Sequence, residues 1–335
     1  MRNEPLVLRD LHEDVVRKAE ATRRYGEIPS NRARAIASRA GRICWDMLPD
    51  RVLSTWLFLK FGNLIHKAHV KWAGRHQSNG TRFLRNVPLL ELLRDLVSQV
   101  PAGVKLRVIV IGCSTGAELY SLLWYLRSAR PGLRMSATGA DVIDGVVAKA
   151  RSGVYSPDDE ELLWLSDPIR ESFFDDVGGA LRVKDWIRKD IRWSVADAMD
   201  PKLLAQLGPA DLLLANNFLG AMPDDEAEAC MENLLHLVSP GGYLVFNGKL
   251  EVKARFARKH GLVPVDRQIE AVHFGDPSRV GWPWTYWASE PIDKRRSGWQ
   301  TRYSAVFARP VGTAKASGSL AKFADLREYG ARRAG

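Results

Sequence analysis

Val108-Ile-Val-Ile-Gly-Cys-Ser-Thr-Gly-Ala-Glu-Leu-Tyr-Ser121 decides the fold of this 335-residue chain. Val108 to Ile111 is a β-branched run, and it ends on Gly112. Leu119 to Leu126 then reads as an apolar helical segment. A buried strand that passes through a glycine loop into a helix places a ligand at the turn. The loop is not the dinucleotide fingerprint. Ser114 stands where a second glycine would let the backbone approach a pyrophosphate. It is not a P-loop either, since no Gly-Lys-Ser/Thr follows. A phosphate is therefore disfavoured. The small residues from Gly112 to Gly116 leave room for some other group against the strand end.

Further strands are expected near residues 135–140, 191–195, 212–215 and 243–246, the last entered through the turn Pro240-Gly-Gly242. Helical segments separate them. This β-α-β-α series predicts an α/β fold built on a mostly parallel, doubly wound sheet. Two late strands are expected near 263–274 and 303–308. Strand two ends in Asp141, 25 residues after Gly116. An acid at that edge, beside strand one, accepts hydrogen bonds from two ribose hydroxyls. Glycine loop and acid together point to a nucleoside. The plainer alternative is a turn glycine and a helix-capping aspartate.

Residues 6–75 carry helical periodicity, with helices expected over 6–24, 30–47 and 52–72. The expected organisation is a helical N-terminal domain over 1–78, the α/β domain over 79–310 and a flexible basic tail over 311–335. The net charge of +10 sits in the flanks, as +7 in residues 1–78 and +3 in 311–335. Such flanks suit an acidic partner, whether protein, nucleic acid or anionic lipid, or else form a solvated basic surface. Three scattered cysteines argue against a disulfide scaffold and fit a reducing compartment. No apolar leader is visible, and no apolar run approaches the roughly 18 residues of a spanning helix. A cytoplasmic protein is expected. His66 and His69 lie three apart on an expected helix, but no acid or cysteine joins them at ligand spacing, so no metal site is expected. Lys60, Lys67 and Lys71 share one side of the 52–72 segment, which leaves peripheral membrane contact open. Burial in a helical bundle is favoured.

The ordered motifs resemble the S-adenosylmethionine-dependent methyltransferases, and among them the chemotaxis receptor (CheR-type) family. Asn79-Gly-Thr-Arg-Phe-Leu-Arg85 is similar to that family's N-x-T-x-F-F-R. Gly112 to Ser121 is similar to its GCSTGEEPYS, and Gly139-Ala-Asp141 to its A-x-D. Ala150-Arg-Ser-Gly-Val-Tyr155 resembles its A-R-x-G-x-Y. Phe173-Phe174, Arg182-Val183, Val195 to Pro201, and Pro240-Gly-Gly-Tyr-Leu244 follow in the family's order. The match covers roughly residues 79–250. It implies a Rossmann-like, seven-stranded class I methyltransferase sheet preceded by a helical N-terminal domain, with S-adenosyl-L-methionine as cofactor.

The resemblance also implies roles. Asn79, Thr81 and Arg85 would lie over the cofactor, with Arg85 near its carboxylate or at the acceptor, the catalytic candidate. Gly112 and Gly116 would flank the methionine portion, with Glu118 matching the family's second acid. Asp141 would bind the ribose. Asp197 and Ala198 would sit at the adenine, and Asn216 and Asn217 would face the cofactor from below. Plainer alternatives remain. Asn79 and Thr81 could cap the helix through Leu89 and Leu92, Arg85 could be a surface ion-pair partner, and Asp197 a turn residue.

Three departures bear on the acceptor. Ala117 replaces the family's first glutamate, expected to hold the cofactor's amino end. Asn216-Asn-Phe-Leu-Gly-Ala-Met222 stands where the family has R-N-V-x-I-Y-F, so Asn216 replaces an arginine and Ala221 a tyrosine. An aromatic cluster, Val280-Gly-Trp-Pro-Trp-Thr-Tyr-Trp287 with Trp299 and Tyr303, suits sugar stacking, a membrane interface or a packed corner between late strands. No motif places a histidine or acid at the acceptor. That favours a carboxylate, which is ionised at neutral pH and needs no base. The expected reaction is O-methylation of a carboxylate, a protein glutamate first. A small-molecule or glycan hydroxyl or carboxyl acceptor is the second reading. A non-catalytic, cofactor- or partner-binding member is the third. Nucleic acid is disfavoured as acceptor, because no N/D-P-P-Y-type tetrapeptide follows strand four. The oligomeric state is not legible.

Overall fold

The computed structural model describes residues 39–311 apart from 40, 54, 74–79, 102, 201, 203–205, 277, 278, 280 and 286. The expected helix over 6–24, Asn79 and the expected basic tail beyond 311 lie outside the described residues. The chain divides into two compact units, one from Met1–Gln77 with Asp276–Ser297, the other from Ser78–Gly275 with Gly298–Gly335.

The larger unit carries a seven-stranded sheet. Its strands are β1 (Leu106–Ile111), β2 (Met135–Asp141), β6 (Ile191–Val195), β7 (Ala210–Leu214), β8 (Val238–Val245), β9 (Val263–Pro264) and β10 (Val306–Ala308). They lie in the order β6-β2-β1-β7-β8-β10-β9. β6, β2, β1, β7 and β8 run parallel, while β10 is antiparallel to β8 and β9. From β1 the chain steps outward one way to β2 and β6, then returns to β7 on the other side. The strand order therefore reverses between β1 and β7, which opens a crevice at their carboxyl ends.

The central strands are covered on both faces, which explains their continuous apolar runs. Ile109, Ile111, Leu213, Leu244 and Phe246 join Leu234 and Phe256 in one buried cluster. At the amino edge Asp211, 1% exposed, is clasped by Arg107 through its backbone N–H, Nε and Nη2 at 2.9, 3.0 and 2.6 Å. The segment 269–274 is not a strand but the helix Ile269–Phe274, a correction to the sequence expectation. A six-residue segment is too short to show a decisive period. Here its Val272 carbonyl accepts from Asn86 Nδ2 at 2.8 Å, which docks the helix on α1 (Val87–Val97).

A second, three-stranded antiparallel sheet in the order β3-β5-β4 was not expected. It comprises β3 (Val154–Tyr155), β4 (Phe174–Val177) and β5 (Ala180–Val183). Gly178 and Gly179, at φ 71° and 86°, form the hairpin turn that needs two left-handed residues.

In the smaller unit the expected helix over 52–72 is broken into Asp50–Leu53 and Trp56–Ala73. The aromatic residues of the late cluster belong to different units. Trp282 and Trp284 pack edge-on against Trp45, with centroids 5.7 and 6.3 Å away. Their rings fill the space over Gly62 and Gly41, where an added Cβ would come within 2.2 and 2.6 Å. Tyr303 is instead a buried residue of the larger unit, 5.2 Å from His273.

Candidate functional site

The glycine loop joins β1 to α2 (Ala117–Ala129) at the strand reversal. Gly112 and Gly116 take φ of 68° and 93°, a left-handed backbone that glycine adopts without strain. Ser114, also left-handed at 48°, turns its N–H to Asp141 Oδ2 at 2.8 Å. Ile143 N–H donates to Asp141 Oδ1 at 3.1 Å. The carboxylate, 8% exposed, is therefore fixed at the carboxyl edge by two backbone donors. Each oxygen keeps a lone pair for another donor. Asp141 pairs in register with Val195 of β6. Val142 and Val195 are 50% and 45% exposed and add apolar surface of the kind a flat base covers.

Gly116 has a packing reason as well. A Cβ there would meet Trp193, Ala150 and Tyr120 at 3.0 to 3.1 Å. Gly112 is covered by Phe218, whose ring lies 2.8 Å from the position of an added Cβ.

On the β7 side, Asn216 is 4% exposed and donates from Nδ2 to Glu118 Oε1 at 2.6 Å. Its Oδ1 is enclosed and has no hydrogen-bond partner. Asn217 is exposed, with φ 68°, and its N–H donates to Asn247 Oδ1 at 3.0 Å. Asp197 is exposed, and its Oδ1 accepts the Met199 N–H at 2.8 Å, the arrangement of a turn. Ala198 is buried, and its carbonyl accepts from Asn233.

The segment after Gly80 is tied to the loop helix. Leu84 N–H donates to Ser121 Oγ at 2.8 Å and Phe83 N–H to the Glu161 carbonyl at 3.0 Å. Thr81 and Arg85 are half-buried, and Arg85 Nη1 donates to the Gly80 carbonyl at 3.4 Å. The cap of the following helix is Asn86, whose Oδ1 accepts from Leu89 N–H at 3.1 Å, not Thr81. Gly112, Ser114, Glu118, Asp141 and Asn216 thus lie at the carboxyl ends of β1, β2 and β7 and in the first turn of α2. Asp197 and Ala198 stand one strand further out.

Two contributors were missed in the sequence. Glu161 Oε1 accepts from Thr115 Oγ1 at 2.8 Å and from Lys149 Nζ at 3.0 Å. Burial works against the Lys149 charge, but hydrogen bonds to Asp159 and Glu161 outweigh it and hold its pKa above the ordinary lysine value. Tyr155 OH donates to the Thr115 carbonyl at 2.5 Å. Its place in A-R-x-G-x-Y was the available signal, whereas nothing local marks Glu161. Cys113 is no nucleophile here. Burial, with the Asp141 charge adding, pushes its thiol well above the ordinary value, so it stays protonated.

This strand order, with its loop and its acid after β2, is the architecture of class I S-adenosylmethionine-dependent methyltransferases. The family model described as CheR methyltransferase, SAM binding domain, matches residues 79–265, and the chain belongs to that family. It is 27% identical to the chemotaxis protein methyltransferase 2 of Vibrio cholerae, over 53% of this chain and 64% of that one. It is 28% identical to the probable biofilm formation methyltransferase WspC of Pseudomonas aeruginosa, over 53% of this chain and 41% of the relative. The chain thus spans less than two thirds of these relatives. Among solved structures, an O-methyltransferase family protein from Burkholderia thailandensis is similar at 14% identity and a TM-score of 0.33, over 67% of this chain and 57% of that one.

The residues present fit the cofactor. Asp141 retains acceptor capacity for hydroxyl donors, and the enclosed Asn216 Oδ1 is an acceptor that lacks a donor. Among the described residues no cluster of histidine, cysteine and acids could hold a metal, and no helix is long and apolar enough to cross a membrane.

Proposed function

We propose that the chain is an S-adenosylmethionine-dependent O-methyltransferase that acts on a carboxylate, a protein glutamate in the first place, within the cytoplasm. The observation that carries the carboxylate is that the described residues of the larger unit place no histidine at the crevice, while its acids Glu118 and Asp141 are assigned here to the cofactor. His236 is exposed at a helix end, His260 contacts Glu232, and His273 packs on Tyr303. None belongs to the carboxyl ends of β1, β2 or β7. A hydroxyl acceptor needs a base, whereas a carboxylate is ionised at pH 7. When bound, the cofactor supplies a methyl carbon made electrophilic by the adjacent sulfonium. In this reading the acids and amides of the loop hold the nucleoside and methionine ends. Asn79, Thr81 and Arg85 are assigned a place over the cofactor, with Arg85 near its carboxylate or at the acceptor. The chain's role is alignment and exclusion of water.

The relatives' names support a protein acceptor. Ala221 in place of tyrosine keeps a small-molecule or glycan acceptor as the second reading. The test is transfer of labelled methyl groups from the cofactor to acidic receptor fragments. A methyl ester releases its label as volatile methanol in base. Base-stable label would replace the carboxylate with another acceptor. No transfer by protein that binds S-adenosylhomocysteine would favour a non-catalytic, partner-binding role.

A further inference from the structure

We propose that the exposed face of the helix Trp56–Ala73 lies on an anionic lipid bilayer, with its leucines and phenylalanine in the acyl boundary and its lysines at the headgroup phosphates. The expected burial in a helical bundle holds for one face of this helix only. There Leu59 is buried, and the Trp282 ring covers Gly62. At 3.6 residues per turn, Leu57, Phe61 and Leu64 fall on the other side, within about 60° of arc. They and Trp56 are each more than half exposed. Lys60 and Lys67, also exposed, lie side by side along one flank of that stripe. On the same flank Lys60 Nζ stands 3.9 Å from the centre of the Trp56 ring. The helix contains no acid, and residues 51–77 hold five Lys/Arg and no Asp or Glu. No neighbour along the sequence therefore neutralises this basic, apolar face.

Charge and apolarity together choose the partner. Single exposed apolar side chains are ordinary on a protein surface, whereas a stripe of them marks a contact. Nucleic acid would pair with the lysines and leave the stripe in water. A protein helix would have to set acids against both lysines and an apolar stripe against the leucines in one register. A bilayer meets both demands without a matching shape. Apolar side chains enter it by about 5–10 Å, lysine stems follow while their ammonium groups stay at the phosphates, and tryptophan sits at the interface. The helix then lies in the membrane plane and does not cross it. This reading is independent of the cofactor assignment.

The test is co-sedimentation of the full chain with vesicles of phosphatidylcholine alone, and with vesicles of phosphatidylcholine and phosphatidylglycerol in equal parts. Binding to the mixed vesicles is expected to be stronger by about tenfold or more, since each lysine near an anionic surface gains about a factor of five. The double variant Leu57→Ser with Leu64→Ser should weaken that binding about tenfold or more through lost apolar burial. Lys60→Gln with Lys67→Gln should weaken it about tenfold and leave the weak binding to phosphatidylcholine unchanged. Lys105→Gln with Lys189→Gln removes two exposed lysines of the larger unit and should change neither. All six side chains are exposed, so an unchanged Tm reports that each variant is folded. No binding to the mixed vesicles, or equal losses in the control and the face variants, would overturn the proposal. So would face variants that bind vesicles like the wild type but lose an acidic receptor fragment, which would give the face to a protein.

Discussion

Two buried aspartates, at opposite edges of the same sheet, stand in contrasting surroundings. Asp211, at the amino edge, accepts three hydrogen bonds from Arg107, whose Nη2 also reaches Ser239 Oγ at 3.0 Å. Asp141, at the carboxyl edge, accepts two backbone N–H groups and has no cation among the described residues. The first carboxylate is closed off by its own fold. The second is oriented and left with acceptor capacity. Burial alone therefore does not separate a structural acid from a binding one. What separates them is whether the fold supplies the countercharge.

The largest effect is expected at Asp211. Asp211→Ala leaves part of the Arg107 guanidinium without its partner and should lower stability by about 3 kcal/mol or more in denaturant unfolding. Affinity for S-adenosylhomocysteine in the surviving folded protein should be unchanged, and a parallel loss of both would erase the contrast. Asp141→Ala should do the reverse. Calorimetry is expected to show cofactor affinity falling about 100-fold, with a stability loss of about 1–2 kcal/mol from the freed loop amides. Gly139→Ala probes the strand that carries Asp141. An added Cβ would stand 2.3 Å from the Trp193 ring, and such overpacking costs about 1–3 kcal/mol. The double variant with Trp193→Leu should recover most of that loss in thermal unfolding. No recovery would place the strain elsewhere.

The smallest effect concerns a surface cluster apart from both aspartates. Partial burial opposes ionisation of Glu232, but hydrogen bonds from Lys259 and His260 outweigh it and hold the carboxyl below its ordinary value. A depressed carboxyl contributes stability above its unfolded pKa, and that contribution is lost as pH falls through the folded one. Glu232→Gln should lower Tm slightly at neutral pH and flatten the acid side of a Tm-against-pH curve. An unchanged acid limb would show that the cluster contributes nothing measurable.

The parallel core was legible because buried parallel strands are continuous apolar runs, as in Val108 to Ile111. Glycine loop and Asp141 were legible because a strand end and its turn are local events. The small sheet was not. Its strands have only 2 to 4 residues, and β4 is exposed at three of its four positions. Glu161 and Phe218 come to the loop through long connections, and sequence distance hides such contacts. Asn216 was visible as a departure from the family pattern, but its unpaired oxygen appears only when Glu118 fixes the amide. Ile269 to Phe274 was misread because packing on Asn86, not periodicity, makes it a helix.

The most direct test of the site is titration of the wild-type chain with S-adenosylhomocysteine alongside NAD. Saturable binding of the first and none of the second is the expected result, since the proposed role of Asp141 is to hold a ribose and Ser114 stands where a dinucleotide loop has a glycine. Folded protein that binds NAD alone, or neither ligand, would contradict the assignment of the loop.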